Sequence, residues 1–194
     1  MLSPNINPDL CYIIGVVLGD GSLSKNNRIR LGVTNKEFAL SFHDCLRKLN
    51  FKPSIWLQKR QKENWSDVWR VGVSNEKLFV FLKDLTIKKI EKVMNNKENS
   101  IQFLKGFYES EGVLLSNRNH IHITNTNLEI MKLVFGLLKK FNLRAKLYGP
   151  YGPYRSQKIS YYRISLHFKN DVERFLELIK PCIKNKNILI NLSN

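Results

Sequence analysis

Two acidic residues close two apolar stretches in the same way. In Tyr12–Leu23 (YIIGVVLGDGSL), Asp20 stands between Gly19 and Gly21; in Phe103–Leu114 (FLKGFYESEGVL), Glu111 stands between Ser110 and Gly112. Aligning the stretches matches Gly15 with Gly106, Gly19 with Ser110 and Asp20 with Glu111. Small residues four apart share one helix face and let two backbones approach closely. Gly15, Gly19, Gly106 and Ser110 are therefore expected to form a helix–helix interface. Packing about a pseudo-twofold axis would bring Asp20 and Glu111 together at the helix ends, with the next glycine turning each chain sharply away. Two carboxylates at the negative ends of helix dipoles repel one another. A hard divalent cation reverses that penalty, and Mg2+ takes one or two carboxylates together with substrate phosphate. Metals held in this way activate water and stabilise the leaving oxygen of a phosphodiester.

The rest of the chain frames these acids. Asn7-Pro8 is a helix start, with Asn7 as cap and Pro8 in the first turn. Arg28–Val33 alternates polar and apolar residues and reads as a half-buried strand. Phe38–Leu49 has helical periodicity. Residues 54–60 and 68–74 read as a hairpin around the polar turn 61–67, and 77–85 as a short helix. Strands at 120–125, 145–149 and 160–168 repeat the pattern in the second half, and the Lys- and Asn-rich connector 86–99 reads as partly helical. Two segments support a duplication at an offset near ninety residues: Val33–Ile55 resembles Ile123–Leu147, each opening on Thr-Asn (Thr34-Asn35, Thr124-Asn125), and Trp69–Leu82 parallels Tyr162–Leu176. The expected boundary divides the chain into repeats 1–98 and 99–194.

One face of these strands is polar and basic. Arg28, Arg30 and Gly32 oppose Ile29, Leu31 and Val33; Arg70, Gly72 and Ser74 oppose Trp69, Val71 and Val73; His120 and His122 oppose Ile121 and Ile123; Tyr161, Arg163, Ser165 and His167 oppose Tyr162, Ile164, Leu166 and Phe168. A ribbon of this kind can enter the DNA major groove, where Arg reads guanine. The formal net charge is +16 over 194 residues, divided evenly at +8 in each half, so the charge belongs to the body and not to a tail. It calls for a polyanionic partner. Expected DNA contacts are Arg28, Arg30, Lys59, Arg60, Arg70, His120, His122 and Arg163, with Arg155 and Lys158 on the turn-rich tip Tyr148–Lys158.

Three cysteines form no CxxC, which excludes the common structural zinc spacings and fits a reducing, intracellular setting. The longest apolar run is too short to span a bilayer, so no membrane partner is expected. The histidines show no zinc spacing along the chain; His120, His122 and His167 read as DNA-facing and His43 as a helix-surface residue. Trp56, Trp65 and Trp69 read as core or hairpin packing.

The segments Ile13–Gly21 (IIGVVLGDG) and Leu104–Gly112 (LKGFYESEG) resemble the two motifs of a single-chain LAGLIDADG homing endonuclease, of the archaeal or organellar intron-encoded type. That resemblance implies an α+β fold of two pseudo-symmetric αββαββα repeats. The motif helices would pack at the centre, and two antiparallel sheets would form a DNA-binding saddle. It further implies a monomeric, site-specific endonuclease that uses two or three Mg2+ or Mn2+ ions to break both strands of a long, pseudo-palindromic site with short 3′ overhangs. Ca2+ would support binding without cleavage. Asp20 and Glu111 are the implied catalytic metal ligands, with the carbonyls of Gly19 and Ser110 and with Asn125 assisting. Lys36 would polarise the phosphate or order the attacking water, and Asn35 would support it. Thr126 matches Lys36 and supplies no second lysine. An intron RNA maturase and a catalytically silent DNA-binding protein are the alternatives.

Overall fold

The computed structural model describes residues 6–59, 66–115, 119–152 and 159–183. Two compact units emerge, Met1–Ser110 and Glu111–Asn194. In the first, Asn7 caps α1 (Pro8–Leu18) by accepting a hydrogen bond from the Leu10 amide at 2.9 Å, with Pro8 in the first turn. Every residue from Leu10 to Val16 is buried, so the helix is apolar all round because it is covered all round. There follow β1 (Ser22–Ser24), β2 (Arg28–Val33), α2 (Lys36–Lys48), β3 (Ser54–Gln58), β4 (Val68–Ser74), α3 (Glu76–Lys83), α4 (Ile87–Val93) and α5 (Lys97–Glu111). The second unit holds β5 (Gly112–Leu115), β6 (His120–Asn125), α6 (Leu128–Lys140), β7 (Ala145–Tyr151), β8 (Tyr161–Leu166) and α7 (Lys169–Ile179).

Each unit has one four-stranded, wholly antiparallel sheet, ordered β1-β2-β4-β3 and β5-β6-β8-β7. The fold is thus α+β with the αββαββα order repeated, α4 filling the connector. The edge strands β1 and β5 escape a reading of residue patterns because they are three and four residues long, too short for alternation to register.

The duplication is sharper in the structure than in the sequence. Buried Phe38, Ala39, Phe42 and Leu46 of α2 recur as Ile130, Met131, Val134 and Leu138 of α6 at one constant offset. At that offset Asn35 matches Asn127, and both cap their helices: Asn35 accepts from Phe38 N at 2.7 Å, Asn127 from Ile130 N at 3.2 Å. The Thr-Asn pairs that align by eye are therefore displaced by two residues, and Lys36 corresponds to Leu128 rather than Thr126. Both helices also stop alike. Asn50 and Asn142 adopt left-handed φ of 62° and 56°, while Phe51 and Leu143 donate back to Leu46 and Leu138 at 3.1 Å. This is the Schellman closure, with Asn in the place usually taken by Gly.

Within the first unit α1 and α5 meet backbone to backbone. A Cβ on Gly15 would strike the Phe103 carbonyl oxygen and the Phe107 amide; one on Gly106 would strike the Tyr12 carbonyl oxygen and crowd the Val16 amide. Each glycine occupies the space the other's helix leaves, so neither backbone can yield without moving the other. Ser110 continues this seam, its hydroxyl donating to Gly106 O at 3.0 Å and reaching Val16 O at 3.4 Å. Gly136 in α6 is a contrast, because a Cβ there meets nothing within 4 Å. Gly15→Ala is expected to destabilise by about 1–3 kcal/mol through overpacking. Gly136→Ala is expected to add about 0.5–1 kcal/mol by removing a flexible residue from a helix interior. Urea unfolding midpoints of the two variants, moving in opposite directions, check both.

Candidate functional site

Asp20 lies just past the end of α1. The helix closes at Leu18, and Gly19 caps it with its amide donating to Val16 O at 3.2 Å. Gly21 follows with its own amide on the same oxygen at 3.0 Å. Its φ is not positive; what glycine supplies is room, since a Cβ would collide with Val17 Cα. The expected sharp turn at Gly21 is thus a close approach, not a left-handed residue. The Asp20 side chain is exposed, yet partial desolvation raises its carboxyl above the ordinary carboxylate value. Among the described residues no Lys or Arg forms an ion pair with it.

Glu111 is the last residue of α5, still helical, and differs in this from Asp20. Asn125 at the end of β6 donates to Glu111 Oε1 at 2.7 Å while its own carbonyl oxygen accepts from Asn127 N at 2.8 Å. Both ends of this amide are engaged, so Asn125 fixes the Glu111 carboxylate. Asn35 instead serves as the α2 cap. Lys36 opens α2, exposed, with its ammonium 5.2 Å from the Trp69 ring centre, a cation–π contact.

One residue within the second motif was not singled out by sequence. Glu109 is buried, 4% exposed, and accepts a hydrogen bond from Tyr12 Oη at 2.5 Å. The neighbouring Tyr108 hydroxyl is pushed up to about 12, by burial first and by the Glu109 charge second. A second acid beside a metal-ligand candidate reads as surface; nothing in one sequence separates buried Glu109 from half-buried Glu111.

The polar faces are built as expected on β2, β4, β6 and β8, and each carries a ring beside its arginine. In the first sheet Arg70 lies across from Gly32 on β2 and Trp56 on β3. Its Nε donates to Gln58 Oε1 at 2.9 Å, and its guanidinium occupies the space a Gly32 side chain would need. Arg28, Arg30, Lys52, Ser54, Trp56 and Arg70 line a cavity of about 680 Å³ over this face. Trp56 is 47% exposed there, which corrects the core half of its reading as core or hairpin packing: it stands on the edge strand β3, across from Arg70 of the hairpin partner, and lines the cavity. In the second sheet Arg163 pairs across from Thr124 and Tyr148, with its guanidinium 5.2 Å from the Tyr151 ring centre and 6.0 Å from that of Tyr161. Phe168 departs from the expected apolar face; it is exposed and lies under the Arg144 guanidinium at 3.9 Å. His43 is mostly covered and sits 3.1 Å from Asp44 Oδ1. Lys59 is exposed at the end of β3. Arg60, Arg155, Lys158 and Trp65 lie outside the described residues.

A family model described as LAGLIDADG-like domain matches residues 7–85 and again residues 98–180. The chain belongs to that family. Among relatives of this LAGLIDADG-like chain, the uncharacterized protein MJ0314 of Methanocaldococcus jannaschii is 34% identical over 156 residues, covering 74% of this chain and 59% of the relative. The chain thus spans less than two thirds of that protein's length. The homing endonuclease I-DmoI of Desulfurococcus mucosus is 24% identical over 154 residues, covering 72% of this chain and 74% of the enzyme. I-DmoI crystallised with DNA and Mn aligns with a TM-score of 0.63 at 20% identity, over 90% of this chain and 97% of that one. The N-terminal LAGLIDADG domain of DUF199/WhiA aligns with a TM-score of 0.68 at 17% identity, over 96% of this chain and 87% of that one. Among the described residues no helix is long and apolar enough to cross a membrane.

The raised Asp20 pKa has a consequence for stability. The folded chain carries a penalty for the ionised carboxylate, and that penalty develops as pH rises from the ordinary value of 3.8 through the raised one. Without divalent metal, Asp20→Asn is therefore expected to be more stable than the parent at neutral pH. The difference should shrink as acid protonates the parent carboxyl. Urea midpoints of both proteins at a series of pH values check the sign.

Proposed function

We propose that the chain is a site-specific, divalent-metal-dependent DNA endonuclease of the homing type, built from the repeats 1–98 and 99–194. The observation that carries this reading is the duplicated motif: a family match in two copies, each retaining its acid where a motif helix ends. The name of I-DmoI and its crystal form with DNA and Mn support the same class of activity. The target is a long, pseudo-palindromic duplex cut on both strands with short 3′ overhangs. The enzyme acts as an intracellular monomer; Cys11, Cys45 and Cys182 stand outside any disulfide, which suits a reducing setting.

The donors available to metal are all oxygen, which fits Mg2+ or Mn2+. Asp20 and Glu111 would hold two or three such ions, with the Gly19 and Ser110 carbonyls at the helix ends assisting. Bound there, the metals would supply water activation and charge stabilisation at the scissile phosphate. The chain's own residues position and bind. Asn125 orients the Glu111 carboxylate, and desolvation of Asp20 leaves its ionised form poorly stabilised until a cation arrives. Lys36, presented at the start of α2, is proposed to engage the phosphate, with Asn35 holding that helix start in place. Arg28, Arg30, Arg70, Lys59 and Arg163 grip DNA from the first and second sheets, and Arg60, Arg155 and Lys158 add to the contact.

The test begins by selecting tight-binding duplexes from a randomised pool in Ca2+. Shifting the bound complex to Mg2+ or Mn2+ is expected to cut both strands, whereas Asp20→Asn should bind and fail to cut. A selected duplex that stays intact in both metals would leave a silent DNA-binding protein. Preference for structured RNA over the selected duplex would point to a maturase.

Gly32 supplies a separate test of recognition. Arg70→Ala should lose about 1–3 kcal/mol of binding to the selected site if it grips a guanine. Gly32→Ala should reproduce much of that loss while retaining Arg70, since the added methyl displaces its guanidinium. Filter-binding isotherms of the two variants on matched and mismatched duplexes decide whether the loss is specific to one base.

A further inference from the structure

We infer that the second sheet carries a metal site of its own, in which His120, His122 and His167 hold a transition-metal dication of the Zn2+ class. Two of the side chains come from β6 and the third directly follows its neighbour β8. His120 and His122 are two residues apart on β6 and so share one face. Ile121 pairs with Leu166, which sets His120 against His167 one step further along the antiparallel ladder. One nitrogen from each of the three rings lies within 4.8 Å of the others, the arrangement of a candidate metal group. Spacing along the chain does not show the triad, because His167 follows β8 while the other two lie on β6; antiparallel register brings them together.

Geometry selects the metal class. Two nitrogens each about 2.0–2.1 Å from a tetrahedral zinc stand about 3.3 Å apart. The Nδ1 atoms of His120 and His167 are already 3.3 Å apart, with their rings edge to face. His122 needs only a side-chain adjustment to complete a three-nitrogen face, its ring centre lying 6.2 Å from that of His167. Three neutral imidazoles suit Zn2+ and its neighbours and not Mg2+, which prefers oxygen.

Comparison of the two repeats argues that this is more than a basic surface. The positions of His120, His122 and His167 are those of Arg28, Arg30 and Ser74 in the first sheet, where Arg28 pairs with Ser74 as His120 faces His167. The first repeat keeps permanent positive charge there. The second has three histidines, a weak choice for gripping phosphate at neutral pH and a complete set for a metal with one position left open. Lys146 is exposed, so water screens its opposition to a bound cation.

Metal-free protein titrated with Zn2+ against a chromophoric chelator, in excess Mg2+, is expected to take up one equivalent. Asp20→Asn should bind it equally, which separates this site from the carboxylate site. His122→Ala and His167→Gln should each weaken binding by more than about 100-fold, beyond what loss of an outer-shell partner costs. Circular dichroism and a thermal melt confirm that each variant is folded; an unfolded His122→Ala is replaced by His122→Asn. Co2+ should give a tetrahedral visible spectrum without a thiolate charge-transfer band. Failure to bind one equivalent, unchanged binding in the folded histidine variants, loss of binding in Asp20→Asn, or a thiolate band implicating Cys11, Cys45 or Cys182 would each overturn the site.

Discussion

The contact between the backbones of α1 and α5 is the constraint on which the rest of the first unit turns. Helices normally keep their distance because side chains stand between them. Here Gly15 and Gly106 remove the side chains at one level, and the Tyr12 carbonyl and Phe103 carbonyl fill the space. So close a seam dictates its surroundings. The flanking residues Leu10 to Val16, with Phe103, Leu104 and Phe107 across from them, are buried and almost all apolar. The carboxylate buried beside it, Glu109, has a phenol hydrogen bond to answer its desolvation. Asp20 follows from the same seam, because a helix locked at Gly15 and stopped at Gly19 has little freedom over where its next residue emerges.

The sheets serve a different requirement. Their apolar faces are fixed by the helices that cover them, and the same buried positions recur in both units. Their polar faces are free to diverge, and they have. Arg70 and Arg163 hold equivalent positions with an outward-facing ring, Trp56 or Tyr148, on the strand beside each. Around that common element one sheet has arginines and the other histidines. The duplication thus keeps its pattern in the buried positions and loses it on the polar faces.

Much of this was legible in the chain. The Asn7-Pro8 start, the alternation of Arg28–Val33 and the paired Gly–acid motifs are local signals, and local physics decided them. What stayed hidden depends on contacts between distant residues. The His120–His167 pairing exists only once β6 and β8 are placed side by side, and Trp56 is exposed because its ring lines the polar face of the sheet. The slip of two residues between the Thr-Asn pairs has the same origin. Thr34-Asn35 and Thr124-Asn125 look alike, but capping and burial of the following helix, which decide equivalence, align Asn35 with Asn127. The buried state of Glu109 could not be inferred from a motif whose neighbouring acid is half-exposed.

The helix α5 has two allegiances. By descent it opens the second repeat, since the family match resumes at residue 98; by packing most of it belongs with Met1–Ser110. An engineer wishing to exchange halves between relatives would find the natural seam in the wrong place. A join in the connector, where the repeats divide, would pair a foreign α5 with a native α1 and put two unmatched helix faces against each other at their narrowest point. A join after Ser110 would carry the glycine pair across intact. The repeats can be inherited as duplicates, but they can be recombined only as interlocked parts.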